Sequence, residues 1–310
     1  MTLPAYFNSK KSLNLFGLDK NFLFLKNLWE KNALPKVLML SGKKGSGKST
    51  LFNHLMFYIF DRENYNINNN KLITQSIFYN QFLNNTFSNI IHLSGSDFNN
   101  VKIEDIRNLK KKIFQTSISN KPRFIIFDDI ELFNINSSNA LLKIIEEPSK
   151  NNYFALIDNK SKPIIETIYS RCLDIKILLN EESRISIINS LIDQFGIEKI
   201  IDVQKSNLTP GNFIIFNYFF KENQIIPDRD YLKNLTIILN LYKKNKEVLY
   251  INMLLFLTDY YFNELKEKGT LTKEKTIDYK IFVFENINKF FLYNLNQNAL
   301  LTTINSKIYD

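Results

Sequence analysis

Gly42-Lys43-Lys44-Gly45-Ser46-Gly47-Lys48-Ser49-Thr50 decides the fold of this chain. The spacing, a glycine, four residues, then Gly-Lys-Ser, is that of a phosphate-binding loop, which needs a strand before it and a helix after it. Val37-Leu38-Met39-Leu40 reads as the strand, and Thr50 to Phe60 carries apolar residues at helical spacing. Gly42, Gly45 and Gly47 let the backbone turn N–H groups inward around a β-phosphate, at a helix N-terminus whose partial positive charge favours an anion. Lys48 is expected to reach the β- and γ-phosphates and Ser49 to offer its hydroxyl to Mg²⁺, with Thr50 beside them on the first turn.

Downstream, Asp61 to Asn70 is polar and Asn-rich, and the weak patterning up to about Asn89 reads as an insertion. Ile90-Ile91-His92-Leu93 is a short strand, followed by the turn-rich Ser94-Gly95-Ser96-Asp97. A helix is expected from Lys102 to about Thr116, with Ile103, Ile106, Leu109, Ile113 and Phe114 on one face. Arg123-Phe124-Ile125-Ile126-Phe127 is a continuous apolar run ending in Asp128-Asp129, as in a buried parallel strand with acids at its carboxyl end. Ser137-Ser138-Asn139 is expected to cap a helix through Leu141, Leu142, Ile144 and Ile145 that Pro148 stops. Tyr153 to Ile157 and Leu173 to Ile177 give two more strands, separated by a helix-like Pro163 to Tyr169. Strands alternating with helices predict an α/β domain, a parallel sheet covered on both faces with its ligand at the carboxyl ends of the strands.

From Asn180 onward no such strand recurs. Short helical patterns broken by Gly196 and Thr209-Pro210-Gly211 give way to helices rich in Leu, Ile, Phe and Tyr. The expected organisation is a P-loop nucleotide-binding domain over residues 1–178, a small helical domain over 179–226 and a helical C-terminal domain over 227–310. A chain of 310 residues has room for that many cores.

With 45% hydrophobic and 23% charged residues the chain has the composition of a folded globular protein. The formal charge of +9 suits work near nucleic acid, although heavy use of Asn, Ile, Lys and Phe also has the look of AT-rich coding. A single cysteine, Cys172, excludes an internal disulfide and a four-cysteine zinc module and fits a reducing, cytoplasmic setting. No apolar run reaches the length of a membrane span, and Met1 to Lys11 lacks the order of a signal peptide. His54 and His92 have no paired ligands or nucleophile and are assigned no chemistry, and Lys43 and Lys44 are read as solvated loop charges.

A nucleoside triphosphate site needs a carboxylate at the end of a neighbouring strand to hold the Mg²⁺ water shell, and Asp128 supplies it. The next residue, Asp129, stands where an active ATPase of this type has a glutamate that activates water, and its side chain is one methylene shorter.

The order Gly42 to Ser49, Phe127-Asp128-Asp129, Asn139-Ala140-Leu141-Leu142-Lys143-Ile144-Ile145-Glu146-Glu147-Pro148 and Ser170-Arg171-Cys172 resembles the clamp-loader branch of the AAA+ ATPases, from about Phe16 to Asn217. The Asp-Asp pair, Lys102-Ile103-Glu104-Asp105-Ile106-Arg107 and Leu208-Thr209-Pro210-Gly211-Asn212 are most similar to the delta-prime type of bacterial DNA polymerase III subunit, not the gamma/tau motor type.

The resemblance implies an AAA+ domain, a lid and a collar that mediates oligomerisation. It also implies a non-motor subunit that joins motor (gamma/tau) and delta subunits, helps place a sliding clamp on primed DNA, and projects Arg171 into a neighbour's ATP site. Nucleotide, ATP or ADP with Mg²⁺ held through Ser49 and Asp128, is then bound weakly or only structurally. Asn212 replaces the lid arginine of active members, and Asp158-Asn159 stands where they carry a polar sensor, Asn159 serving if the register is one residue off. No zinc is expected, because the stretch from 61 to 89 has no cysteine. The alternative is an autonomous AAA+ ATPase such as a motor subunit, favoured by the intact Lys48, Ser49 and Asp128.

Overall fold

Each apolar run read from the sequence becomes one strand of a single parallel sheet in a computed structural model that describes residues 4, 7–95, 121–148 and 151–309. The strands are β1 (Val37–Ser41), β2 (Ile90–Ser94), β3 (Arg123–Asp128), β4 (Asn152–Asp158) and β5 (Leu173–Lys176). They lie in the order β2-β3-β4-β1-β5, every neighbouring pair parallel. The helix expected from Lys102 to Thr116, with Arg107, falls outside the described residues.

Side chains alternate across the sheet with period two, and both faces are buried. Leu38, Leu40, Phe124, Ile126, Ala155 and Ile157 pack against α1 (Asp19–Glu30) and α2 (Lys48–Phe60) through Phe22, Leu25, Leu51, Phe52 and Leu55. Val37, Met39, Ile125, Phe127, Phe154 and Leu156 face the other way, where Leu141, Ile144 and Ile145 of one helix and Ile168 of a second cover them. The continuous runs therefore divide evenly between two cores.

The weakly patterned stretch from 61 to 89 has short elements of its own. It forms a short antiparallel hairpin, Tyr65–Asn66 with Lys71–Leu72, and α3 (Ile77–Leu83), whose N-cap Ser76 hydroxyl accepts the Tyr79 N–H at 2.9 Å. Aromatic rings fasten it to the sheet layer: Phe78 lies 4.9 Å from Phe57 and 4.8 Å from Phe87, and Phe82 lies 5.2 Å from Phe57. Buried His54 joins this layer between the Tyr65 hydroxyl and the Ser12 carbonyl. Its burial lowers the imidazole to about 4, so it is neutral.

On the second face lie α4 (Ile135–Ile145) and the one-turn α5 (Glu166–Tyr169), shorter than the segment expected from Pro163. The cap of α4 is Asn134, not Ser137 to Asn139: the Asn134 Oδ1 accepts the Ser137 N–H at 2.8 Å, and both serines lie inside the first turn, buried. α6 (Glu181–Phe195) follows, ending at Gly196 with φ of 60°.

The chain divides into two compact units, residues 1–195 with 209–212, and residues 196–208 with 213–310. α7 (Pro210–Glu222) begins in the first and continues in the second, with proline at its first position, where no N–H is needed. The second unit contains α8 (Tyr231–Asn245), α9 (Val248–Glu267), α10 (Lys273–Tyr293) and α11 (Gln297–Tyr309). They pack in sequence, and α11 also touches α8. Tyr231 stacks on Tyr261 at 4.8 Å and shares a 2.8 Å hydrogen bond with Thr258. Among the described residues no helix is long and apolar enough to cross a membrane.

Candidate nucleotide site

The carboxyl ends of β1, β3 and β4 bring the predicted site together. The loop leaves β1 at Ser41, and Gly47, with φ of 91°, is the N-cap of α2. Gly45 is the tightest point: with φ of 82°, a Cβ there would lie 2.6 Å from Thr209 Oγ1 and 2.8 Å from Asn212 N. Thr209 donates to the Lys44 carbonyl at 2.6 Å and the Gly211 N–H to the Gly45 carbonyl at 2.8 Å, so the start of α7 rests directly on the loop. Asn212 is thus beside the loop, without the charge of an arginine.

Lys48 is buried, and its ammonium donates to the carbonyls of Gly42 at 2.7 Å and Lys43 at 2.9 Å. Burial lowers it to about 8, against the opposing pull of Asp128, Glu131, Asp158 and Asp129. Ser49 donates to Asp128 Oδ2 at 3.1 Å. A hydroxyl and a carboxylate in contact, at the start of a helix, are the oxygen donors that a phosphate-bound Mg²⁺ takes. The residues present therefore fit Mg²⁺-nucleotide: Gly42 to Thr50 would hold the phosphates, and Ser49 and Asp128 the cation. Burial, then repulsion by Asp129, pushes Asp128 up to about 6, although the Asp129 N–H and Ser49 pull it down.

Asp129 is in the left-handed region at φ of 50°, which aspartate tolerates better than most residues. Its Oδ1 accepts from Asn159 Nδ2 at 2.6 Å and lies 3.4 Å from the Lys44 ammonium, and its Oδ2 accepts from Ser94 at 3.3 Å. Both oxygens of Asp129 are thus engaged by donors of the protein itself. Lys44 is therefore an ion-pair partner of Asp129 and not just a solvated loop charge.

The open register after β4 is resolved in the structure. Asp158 is fully buried and turns to Tyr169, whose hydroxyl donates at 2.7 Å, and to Lys160, while Asn159 faces Asp129. Glu131, absent from the sequence reading, fixes that loop: it accepts the Asn159 N–H at 3.1 Å and the Ser161 hydroxyl at 2.9 Å. Ser94 could have been found, since it ends β2 directly opposite Asp128. His92, two residues earlier on the same strand, comes within 4.0 Å of Asp128.

Arg171 is elsewhere. It precedes Leu173, which pairs with Leu38 near the start of β1, whereas the loop follows Ser41, opposite Lys176. Roughly 10 Å of strand separates those two ends of the pairing. The guanidinium binds Glu146 at 2.8 Å and the Thr167 carbonyl at 2.9 Å, and has no contact with the loop. Cys172 is half-buried with its thiol raised to about 11, as expected of a packing residue.

A phosphate loop after the interior strand β1, an acid ending β3 and a polar residue just beyond the intervening β4 define an AAA+ P-loop protein. The family described as DNA polymerase III, delta subunit, matches residues 18–180, more than half of the 310-residue chain, and the chain belongs to that family of clamp-loader subunits.

Similar proteins carry two names. The chain is 31% identical over 96 residues to a DNA polymerase III subunit gamma of Buchnera aphidicola subsp. Schizaphis graminum, covering 31% of this chain and 26% of that one. It is 27% identical over 199 residues to the subunit delta' of the same organism, covering 60% of each. The matches thus span about a quarter to three-fifths of these curated relatives. A crystal structure of a DNA polymerase III gamma-subunit-related protein from Thermotoga maritima shares the fold, with a TM-score of 0.50 at 14% identity over 92% of this chain and 97% of that chain.

Proposed function

We propose that this chain is a non-motor, delta-prime-like subunit of a DNA polymerase III clamp loader, which helps load the sliding clamp on primed DNA and supplies Arg171 to a neighbouring subunit's ATP site. The observation that carries the reading is the separation of Arg171 from its own phosphate loop, at opposite ends of the β1 and β5 pairing. An arginine so placed can offset phosphoryl charge only in another molecule's site. Asp129, one methylene shorter than glutamate and engaged at both oxygens by Ser94, Asn159 and Lys44, supports weak or absent hydrolysis in this chain's own pocket, where ATP or ADP with Mg²⁺ would be held weakly or structurally.

On this reading the partners are motor (gamma/tau) and delta subunits in the cytoplasm, with the clamp contacted indirectly and no zinc required. Residues 1–178, 179–226 and 227–310 serve as AAA+ domain, lid and oligomerising collar. The test is ATP turnover by the loader reconstituted with Arg171→Ala. In other phosphoryl-transfer enzymes an arginine given in trans is worth about 10³-fold or more, so turnover at the adjoining site should fall at least tenfold. An unchanged rate would remove Arg171 from the mechanism.

The second reading, an autonomous AAA+ ATPase of motor type, is favoured by the intact Lys48, Ser49 and Asp128 arrangement. Robust steady-state turnover by the isolated chain, lost in Lys48→Ala, would decide for it.

A further inference from the structure

The acids that end α4 have no use within that helix. A helix C-terminus carries partial negative charge from its last carbonyls, so carboxylates are disfavoured there and cations preferred. Yet Glu146 is the C-cap of α4 and Glu147 follows it. Glu146 has a partner brought from the far side of β4: its Oε1 lies 2.8 Å from Arg171 Nη2. Arg171 Nη1 donates to the Thr167 carbonyl at 2.9 Å and to Ser170 Oγ at 3.3 Å. The guanidinium is therefore held at both terminal nitrogens, and its side chain is 37% exposed beside a carboxylate that is 44% exposed. Glu146-Glu147-Pro148 and Ser170-Arg171-Cys172, on either side of β4 in the sequence, meet in one ion pair.

Such a pair cannot persist once the arginine faces a polyphosphate. A carboxylate in contact with the guanidinium would bring negative charge against the phosphoryl oxygens it serves, and like charges at that distance repel strongly in a site closed to water. An exposed pair is loose enough to be exchanged for a ligand of higher charge. We propose that Glu146 parks Arg171: it docks the guanidinium on the end of α4 in the free subunit and gives it up when a neighbour's triphosphate arrives. Glu146 is then a positioning residue that sets how much triphosphate is needed to engage the arginine. This rests on the reading of Arg171 as a residue acting in trans, and the experiment separates the two.

In the isolated full-length chain, Glu146→Gln should speed modification of Arg171 by phenylglyoxal, followed by peptide mass spectrometry, by on the order of 2–5-fold. That arm needs no assembly, and an unchanged labelling rate overturns parking whatever Arg171 does elsewhere. In the reconstituted loader, Glu146→Gln should lower the KM for ATP by a similar factor with kcat little changed. The effect should vanish when Arg171→Ala is already present, because Glu146 acts only through that side chain. A lowered kcat, or an effect that survives in the Arg171→Ala background, overturns the proposal. Should Arg171→Ala itself leave turnover untouched, the trans reading fails and the labelling result still judges the ion pair.

Discussion

A carboxylate that holds the water shell of a cation must be charged to be useful, and Asp128 is held where charge is costly. Its folded value of about 6 lies above the ordinary 3.8, so between those values the folded chain binds more protons than the unfolded one. Its contribution to stability then falls as pH rises through that window, and above it the charged Asp128 is a standing cost. Asp128→Asn keeps an acceptor for Ser49 and removes the charge. We expect the nucleotide-free chain to gain on the order of 1–2 kcal/mol near pH 8 and nothing near pH 4. Thermal unfolding of both proteins at the two pH values measures it, and an equal gain at both would show that charge is not the cause. The same substitution should abolish Mg²⁺-dependent stabilisation by ATP. Lys48, Ser49 and Asp128 were legible in the sequence because the first two share one short loop and the third ends an apolar run. The contacts of Asp129 with Asn159 and Lys44 were not, since those two come from distant segments. Glu131, in the single 3-10 turn Ile130–Leu132 after the acidic pair, has no spacing that distinguishes it.

At the scale of the element, helix α4 shows how a cap can be misread. Ser137-Ser138-Asn139 has the right residue types, but the helix already begins at Ile135, and the side chain that reaches a free N–H belongs to Asn134. Asn134→Ala should cost about 1 kcal/mol in urea unfolding, whereas Asn139→Ala, exposed within the helix, should be neutral or slightly stabilising. Equal losses would reinstate the downstream cap. The strands, by contrast, were legible almost to the residue, because β1, β3 and β4, buried in the middle of the sheet, leave uninterrupted apolar runs. Residues 61 to 89 were not, because their order comes from rings that meet across separate segments: Phe57 and Phe60 on α2, Phe78 and Phe82 on α3, and Phe87 after it. Phe78→Ala removes the ring shared by most of these contacts. It should destabilise the first unit by about 3 kcal/mol, and a loss below about 1 kcal/mol would mean that the segment is an appendage.

At the scale of the whole molecule, the first unit carries its two candidate groups at opposite ends of its strands. The phosphate loop opens at the carboxyl ends of the strands, and Arg171 stands near their starts. On the proposed reading, two substitutions should therefore give different counts in a reconstituted loader. Lys48→Ala should reduce the number of nucleotides bound per assembly by one, and Arg171→Ala should leave that number intact while slowing turnover. Equilibrium dialysis with labelled nucleotide, run beside a turnover assay, tells the two apart, and loss of a bound nucleotide in Arg171→Ala would contradict the division of labour. A surface that gives at one end and receives at the other cannot pair with itself by a twofold axis without leaving both functions unused. On that reading its contacts are heterologous, repeating front to back. A row of such subunits then has a direction, like beads threaded the same way, and an open row contains one fewer completed junction than it has members. Whichever subunit stands first or last contributes one end only, so a chain that donates well and hydrolyses poorly is suited to a terminal place.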